Sequence, residues 1–461
     1  MGHHRTFSIR YATSLLKSNQ QPYTRQLIKS NLRSVKLRYQ IAFSTSHSPT
    51  PITSNAQLIP LTSPIVARHL LLVATLVFSI VVVGGLTRLT ESGLSITEWN
   101  LVSGTIPPLT DEAWEIEFSK YKLTPEYRLL NHKIDIESFK SIYKWEWAHR
   151  FLGRLIGLSF LIPLPFFFKN KLIHSQMNKI GLIGIGTLIG AQGGLGWYMV
   201  KSGLDQIEVD SRDGIPRVSQ YRLAAHLAMA FAVYATSLRL AGGILRDWNL
   251  GAQGKSLGGV SSAIESVRML EAKVPTRARK LVTGLTGLVF LTAVSGAFVA
   301  GLDAGLVYNT FPLMGENLIP PKSELFLNTI SSRNNGRPGW IRNFFENPIT
   351  VQLDHRILAM TTTFSTIGFL SWANLNRQLL PPNTLKWARA MGGMIILQVG
   401  LGISTLVYIV PTTLAAAHQA GSLVLLSLSI ATGLSLRKPN SIAKQLFHSK
   451  FMQPLIKPYH K

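Results

Sequence analysis

Eight apolar stretches of about 20 residues, near 66–87, 148–168, 180–200, 222–243, 280–301, 353–373, 387–408 and 414–435, constrain this chain more than any other feature. A run of that length crosses the hydrocarbon core of a bilayer as a helix, where every backbone N–H and C=O must be paired inside the segment. The expected fold class is therefore an all-α integral membrane protein with eight transmembrane helices. Only 15% of the 461 residues are charged, against roughly 25% in soluble proteins. The chain has no cysteine, which excludes a disulfide scaffold, a thiolate zinc site, an iron–sulfur cluster and a cysteine nucleophile.

The net charge of +25 suggests nucleic acid only if it lies on a soluble surface, and its distribution says otherwise. Residues 88–147, 201–221 and 302–354 hold 19 of the 22 acidic residues but only 14 of the 47 basic ones. Everything else carries 33 Lys/Arg against Asp247, Glu265 and Glu271. By the positive-inside rule the termini and the connections near 169–179, 244–279 and 374–386 face one compartment, and the acidic loops face the other. Met1 to Thr90 lacks Asp and Glu altogether, while residues 1–68 contain nine Lys/Arg among many Ser, Thr and Gln. That composition reads as a mitochondrial transit peptide followed by a basic matrix segment over 1–60, with a nucleic-acid-binding arm as the competing reading. The basic face is then the matrix side of the inner membrane, both termini lie in the matrix, and no nucleic-acid partner is needed.

The chain repeats itself. At an offset of 206, His149-Arg150 matches His355-Arg356, Gln192 matches Gln398, and Gly194-Leu195-Gly196 matches Gly400-Leu401-Gly402. At an offset of 192, Ala224-Ala225-His226 matches Ala416-Ala417-His418, the difference reflecting the short turn after Tyr408. Spans 1 and 5 align more loosely, through Gly85 with Gly296 and Gly93 with Gly305. The expected organisation is two tandem, pseudo-symmetric four-helix bundles, 64–243 and 280–436, joined by a matrix linker at 244–279 and followed by a basic tail at 437–461. The GAQGKS segment of the linker fails as a phosphate loop, because Asn249 stands where the first glycine belongs and no strand precedes it. Gly186, Gly190 and Gly194 recur every fourth residue, a spacing that lets helices approach closely and permits a homo-oligomer.

The repeat preserves one ionisable residue type inside the spans, and such a group is costly in a membrane. His149, His226, His355 and His418 each fall near the start of an even-numbered span, which places them at one depth. Facing histidines in a helix bundle ligate a haem iron axially, so the pairs are His149 with His226 and His355 with His418. A copper or zinc site would have to gather all four against the two-fold repeat. Arg150, Arg222 and Arg356 sit beside these ligands, where they either pair with haem propionates or snorkel to the interface. The halves differ at one position: Glu146 lies three residues before His149, on the same helix face, whereas Gln352 takes its place before His355. A carboxylate beside a haem can move protons and an amide cannot, which makes the first half the better place for chemistry.

These features, with Glu146-Trp147-Ala148-His149-Arg150, GGLTRLTESGLSITEW at 84–99 and GTIPP at 104–108, resemble the haem A synthase family of mitochondria and bacteria over about residues 64–436. The absence of cysteine resembles the branch that includes the mitochondrial members. The resemblance implies oxidation of the C8 methyl of haem O by two successive hydroxylations, giving haem A for cytochrome c oxidase. It also implies a resident haem b on His355 and His418, haem O flanked by His149 and His226, and Glu146 as the catalytic carboxylate. Implied partners are ferredoxin and ferredoxin reductase as electron donors, haem O synthase and cytochrome c oxidase assembly factors, and the lipid bilayer. Two other functions fit parts of the pattern. A di-haem electron-transfer cytochrome needs four histidines but not an unpaired Glu146, and a repeat-built transporter needs no haem.

Overall fold

The computed structural model describes residues 61–100, 103–210, 215–253, 265, 267–327, 330 and 338–452. Residues 1–60, expected as a transit peptide and basic segment, most of the centre of the 244–279 linker and the end of the 437–461 tail lie outside the described residues. Eight long helices organise the rest: α1 Pro64–Leu89, α2 Ile136–Leu161, α3 Gln176–Leu204, α4 Gln220–Gln253, α5 Lys273–Gly301, α6 Pro348–Leu375, α7 Pro382–Val407 and α8 Thr412–Ser435. Among the described residues there is no strand.

Seven of the eight helices are long and apolar enough to cross a membrane, and α6 is the exception. Its 28 residues include Thr361, Thr362, Thr363 and Thr366, which dilute its apolar character. Each of these hydroxyls donates to the carbonyl four residues earlier, at 2.7–2.8 Å. These four hydroxyls are thus satisfied within the helix.

Helix α1 shows how sequence becomes packing here. Ser63 caps its first turn through Oγ, with Pro64 following, and Val66, Leu70, Val73, Val77 and Val81 form one buried stripe at helical spacing. α1 packs against α2 and α4, and α3 against α2 and α4; α5, α6, α7 and α8 repeat that pattern of neighbours. The two sets meet where α1 and α4 touch α8 and where α4 touches α5. The Gln419 amide donates to Val81 O across this contact, and the hydroxyls of Tyr234 and Ser427 hydrogen-bond at 2.8 Å.

One boundary departs from expectation. α2 begins at Ile136, about three turns before the apolar run, because Phe139, Tyr143 and Glu146 turn one face toward a cap rather than toward lipid. Trp114, Phe118 and Tyr121 of the helix Asp111–Tyr121 complete that aromatic cap. His149 therefore lies well inside its helix, whereas His226, His355 and His418 sit within about two turns of their helix starts.

At the opposite, basic end, two of the three stray acids pin the C-terminal segment. Arg437 binds Asp247 with both terminal nitrogens, at 3.0 and 2.9 Å, and Lys444 of the helix Ser441–Phe447 pairs with Glu271 at 2.6 Å. Close approach of the two helix sets is tested at Gly301, where an added Cβ would stand 3.0 Å from Gln220 Cα. Gly301→Leu is expected to destabilise the protein by about 1–3 kcal/mol, read as a lower thermal midpoint in detergent. Gly287→Ala, which meets open space, should leave the midpoint unchanged or raise it slightly.

Candidate functional site

All four repeated histidines line one continuous cavity of about 1310 Å³. Each ring edge rests against a glycine of an odd-numbered helix. A Cβ on Gly84, Gly196, Gly296 or Gly402 would come within 2.7, 2.9, 3.3 and 2.9 Å of the Cε1 atoms of His149, His226, His355 and His418 respectively. Only glycine admits an imidazole this close. The geometry also corrects the alignment of the first and fifth spans: Gly84, not Gly85, is the counterpart of Gly296, while Gly85 makes room for Gln419 of α8. Gly186 does meet Phe160, but Gly190 and Gly194 face open space, so the expected close approach fails at those two positions.

The rings of His149 and His226 lie 6.4 Å apart between centroids, inclined by 57°. Metal–imidazole bonds of about 2 Å on either side of one iron separate two rings by roughly this distance. Among the described residues no group of three or more His, Cys, Asp or Glu is placed to hold a metal ion. Each pair thus offers two nitrogens, a donor set that would suit a haem iron rather than a tetrahedral metal site.

The pairs differ in how their other ring nitrogen is held. His355 Nδ1 is 2.7 Å from Ser295 Oγ, and His418 Nδ1 is 3.2 Å from Gln398 Nε2. Such partners fix an imidazole's orientation and leave Nε2 to the cavity. Val83 stands where the repeat would put a second Ser295, and the buried Nδ1 atoms of His149 and His226 have no side-chain partner.

Glu146 is 3% exposed and every partner it has is a donor. Ser95 Oγ and Ile96 N–H donate to Oε2 at 2.7 and 2.8 Å, and Arg150 reaches Oε1 through Nε and Nη2 at 3.1 and 2.7 Å. Arg150 also donates to Ile96 O and Glu98 O, and Arg356 likewise donates to Tyr308 O and Thr310 O. Both arginines are thus engaged in holding the loops that follow α1 and α5. Gln352 in turn donates to Tyr308 O at 3.0 Å. Arg222 does not line the cavity; it donates to Tyr198 O and stacks on that ring at 3.6 Å. The turn between α7 and α8 is tight enough to force Ile409 and Val410 to φ of 61° and 54°, a strained choice for β-branched residues at a cavity wall.

Several cavity residues escaped sequence reasoning. Arg88 and Arg217 both reach Asp303, at 2.6 and 3.5 Å, joining the two helix sets at the rim. Nothing in the spacing marks them. Glu126 is 4% exposed, lines the cavity, and accepts from Tyr121 Oη at 3.0 Å. Burial pushes its carboxyl up to about 8; Glu146 and Glu91 add to the rise, while the Tyr121 hydroxyl and Arg88 oppose it.

Residues 67–430 match the model of the COX15-CtaA family, described as a cytochrome oxidase assembly protein. The chain is 45% identical to Heme A synthase COX15 of Saccharomyces cerevisiae over 380 residues, 82% of this chain and 77% of that protein. It is 43% identical to Heme A synthase of Nitrosospira multiformis over 373 residues, 81% of this chain and 94% of that one. It is also 44% identical to the Heme A synthase-mitochondrial ferredoxin fusion protein of Schizosaccharomyces pombe over 408 residues, 87% of this chain and 65% of the fusion. The chain belongs to the COX15-CtaA family.

In this family member Glu126 gives a pH signature with a definite sign. Folded, it holds its proton up to about 8; unfolded, it loses it near the ordinary carboxylate value of 4.5. Between those values the folded state binds the extra proton, so stability falls as pH rises. Chemical denaturation between pH 6 and 9 should show a loss on the order of a few kcal/mol, and Glu126→Gln should flatten it. An unchanged slope in the variant assigns the loss to other groups.

Proposed function

We propose that this chain is a haem A synthase, an enzyme that converts haem O to haem A in the inner mitochondrial membrane. The observation that carries the reading is the joining of Glu146 to the 84–99 segment. Ser95 and Ile96, from the 84–99 segment that carries the family resemblance, hold the Glu146 carboxylate together with Arg150, one turn from His149. The haem O ring then lies between His149 and His226, and its C8 methyl is oxidised by two successive hydroxylations, the geminal diol losing water to give the formyl group. Glu146 accepts and returns protons there, with Arg150 neutralising its charge and fixing its orientation. His355 and His418 would hold a resident haem b, which would supply electron storage. Ser295 and Gln398, which hold those two rings, favour a permanently bound group on that side.

All eight helices, α6 included, are proposed to span the membrane as two pseudo-symmetric four-helix bundles, with the basic end and both termini in the matrix. Ferredoxin is the proposed electron donor. A relative fused to mitochondrial ferredoxin supports this, and the basic end suits an acidic partner. A di-haem carrier is disfavoured because it has no use for Glu146 in one half and Gln352 in the other.

Haem A extracted from membranes of a Glu146→Gln strain should fall by about 10²-fold or more, the usual worth of a general acid–base group. Undiminished haem A refutes the role of Glu146. Separately, His355→Ala or His418→Ala should abolish the b-type absorption of the purified protein, and an intact spectrum would sink the assignment of haem b to that pair.

A further inference from the structure

The two halves diverge along one seam. α2 and α3 close on each other at Phe160 and Gly186, where an added Cβ would stand 3.1 Å from Phe160 Cε1. Toward the acid-rich end from that point, Gly157 on α2 and Gly190 and Gly193 on α3 have no atom within 4 Å of an added Cβ, and Gly153 meets only Ile80, at 3.7 Å. Gly153, Gly193 and Trp197 are exposed and also line the cavity. They stand on two helices that are each apolar enough to cross a membrane, so an opening between these helices would face lipid.

The equivalent seam of the other half is filled. At the offset of 206, Gly153, Gly157, Gly190 and Gly193 become Ala359, Thr363, Ile396 and Val399, and α6 packs more extensively on α7 than α2 does on α3. Missing side chains alone are no site. At the inner end of this opening, however, Gln192 and the rings of His149 and His226 line the same cavity, and no side chain partners their Nδ1 atoms as Ser295 and Gln398 do in the other half.

We propose that the α2–α3 seam is the entry portal and binding groove for the isoprenoid tail of the substrate haem. The ring occupies the cavity, and the tail lies across Gly153 and Gly157 on one wall and Gly190 and Gly193 on the other. Between Gly193 and the closure at Gly186 the groove runs about 10 Å at the helical rise. A tail threaded there never has to cross the polar, acid-rich end, and it distinguishes haem O from haems without a tail. The inference rests on haem O being the substrate of the first half.

The test installs the residues of the filled seam. Gly157→Thr with Gly193→Val places side chains where the structure has open space, so the helices have no cause to shift. The full-length protein in lipid nanodiscs is titrated by absorbance with haem O and, separately, with protohaem, which lacks the tail. The expected result is an affinity for haem O reduced by about tenfold or more, with protohaem affected less than about twofold; a few lost apolar contacts are worth this much. Equal losses for both haems, or no loss for either, overturn the proposal. Thr363→Gly with Val399→Gly should leave the preference for haem O unchanged, and a preference that follows that seam instead also overturns it. Failure of the underlying reading shows separately, as unaltered protein that makes no haem A from haem O and reduced ferredoxin, and the titration still reports whether the seam selects for a tail.

Discussion

The clamp of one arginine on one loop organises each half. Arg150 leaves α2 immediately after His149 and fastens the carbonyls of Ile96 and Glu98; Arg356 leaves α6 immediately after His355 and fastens those of Tyr308 and Thr310. A guanidinium holds its five N–H groups in a fixed planar fork that spans carbonyls set apart along a loop, whereas a lysine gathers its three donors on one nitrogen. Because the clamped loop continues an odd-numbered helix, the bond sets how far that helix slides against its even-numbered neighbour. The glycine that admits the imidazole must stand opposite it, and the clamp is what holds Gly84 against His149 and Gly296 against His355.

On this shared frame a single substitution separates the halves. Glu146 and Gln352 address the same loop position, but from opposite hydrogen-bonding roles. The carboxylate accepts from Ile96 N–H, whereas the amide donates to Tyr308 O. The carboxylate also draws its own arginine into an ion pair, which leaves the first half with a paired charge close to His149. The second half invests its polar contacts in the histidines themselves, through Ser295 and Gln398. One half holds an acid–base group in a fixed place and leaves its imidazoles loosely held; the other holds its imidazoles firmly and has no acid–base group at that position. That division suits a site that turns over its occupant beside one that retains it.

Much of this was legible in the chain itself, because apolar length and a two-fold repeat are one-dimensional signals. The histidines, their offset of 206 and the Glu146 asymmetry could be read directly. What could not be read depended on contacts across the fold. The start of α2 was hidden because Phe139 and Tyr143 are buried by the distant Trp114 and Phe118, so the segment needs no lipid-facing apolar run. The Gly84–Gly296 equivalence was hidden by the adjacent Gly85, which has a different task against α8. The arginines looked like partners for an external carboxylate, and only the loop geometry shows that Arg150 also reaches Glu146 and backbone carbonyls and that Arg356 reaches backbone carbonyls. Glu126 carried no spacing signal at all, since its burial comes from the short helix Pro125–Leu129 lying against the cavity.

The glycines carry the last step. Their abundance in α3 suggested tight helix packing, and the structure divides them into three roles by what stands opposite each. Gly186 allows α2 and α3 to touch, Gly196 admits the His226 ring, and Gly190 and Gly193 face nothing in the protein. A glycine in a helix costs about 1 kcal/mol relative to alanine. Where it admits a ring or a neighbouring helix, that cost is offset by packing within the chain. At Gly190 and Gly193 no atom of the chain offsets it, and the second half of the same repeat carries Ile396 and Val399 instead. The second half also has glycines that meet open space, Gly393 and Gly400 on α7, so it is open glycines together with a thinly packed α2–α3 contact that set the first half apart.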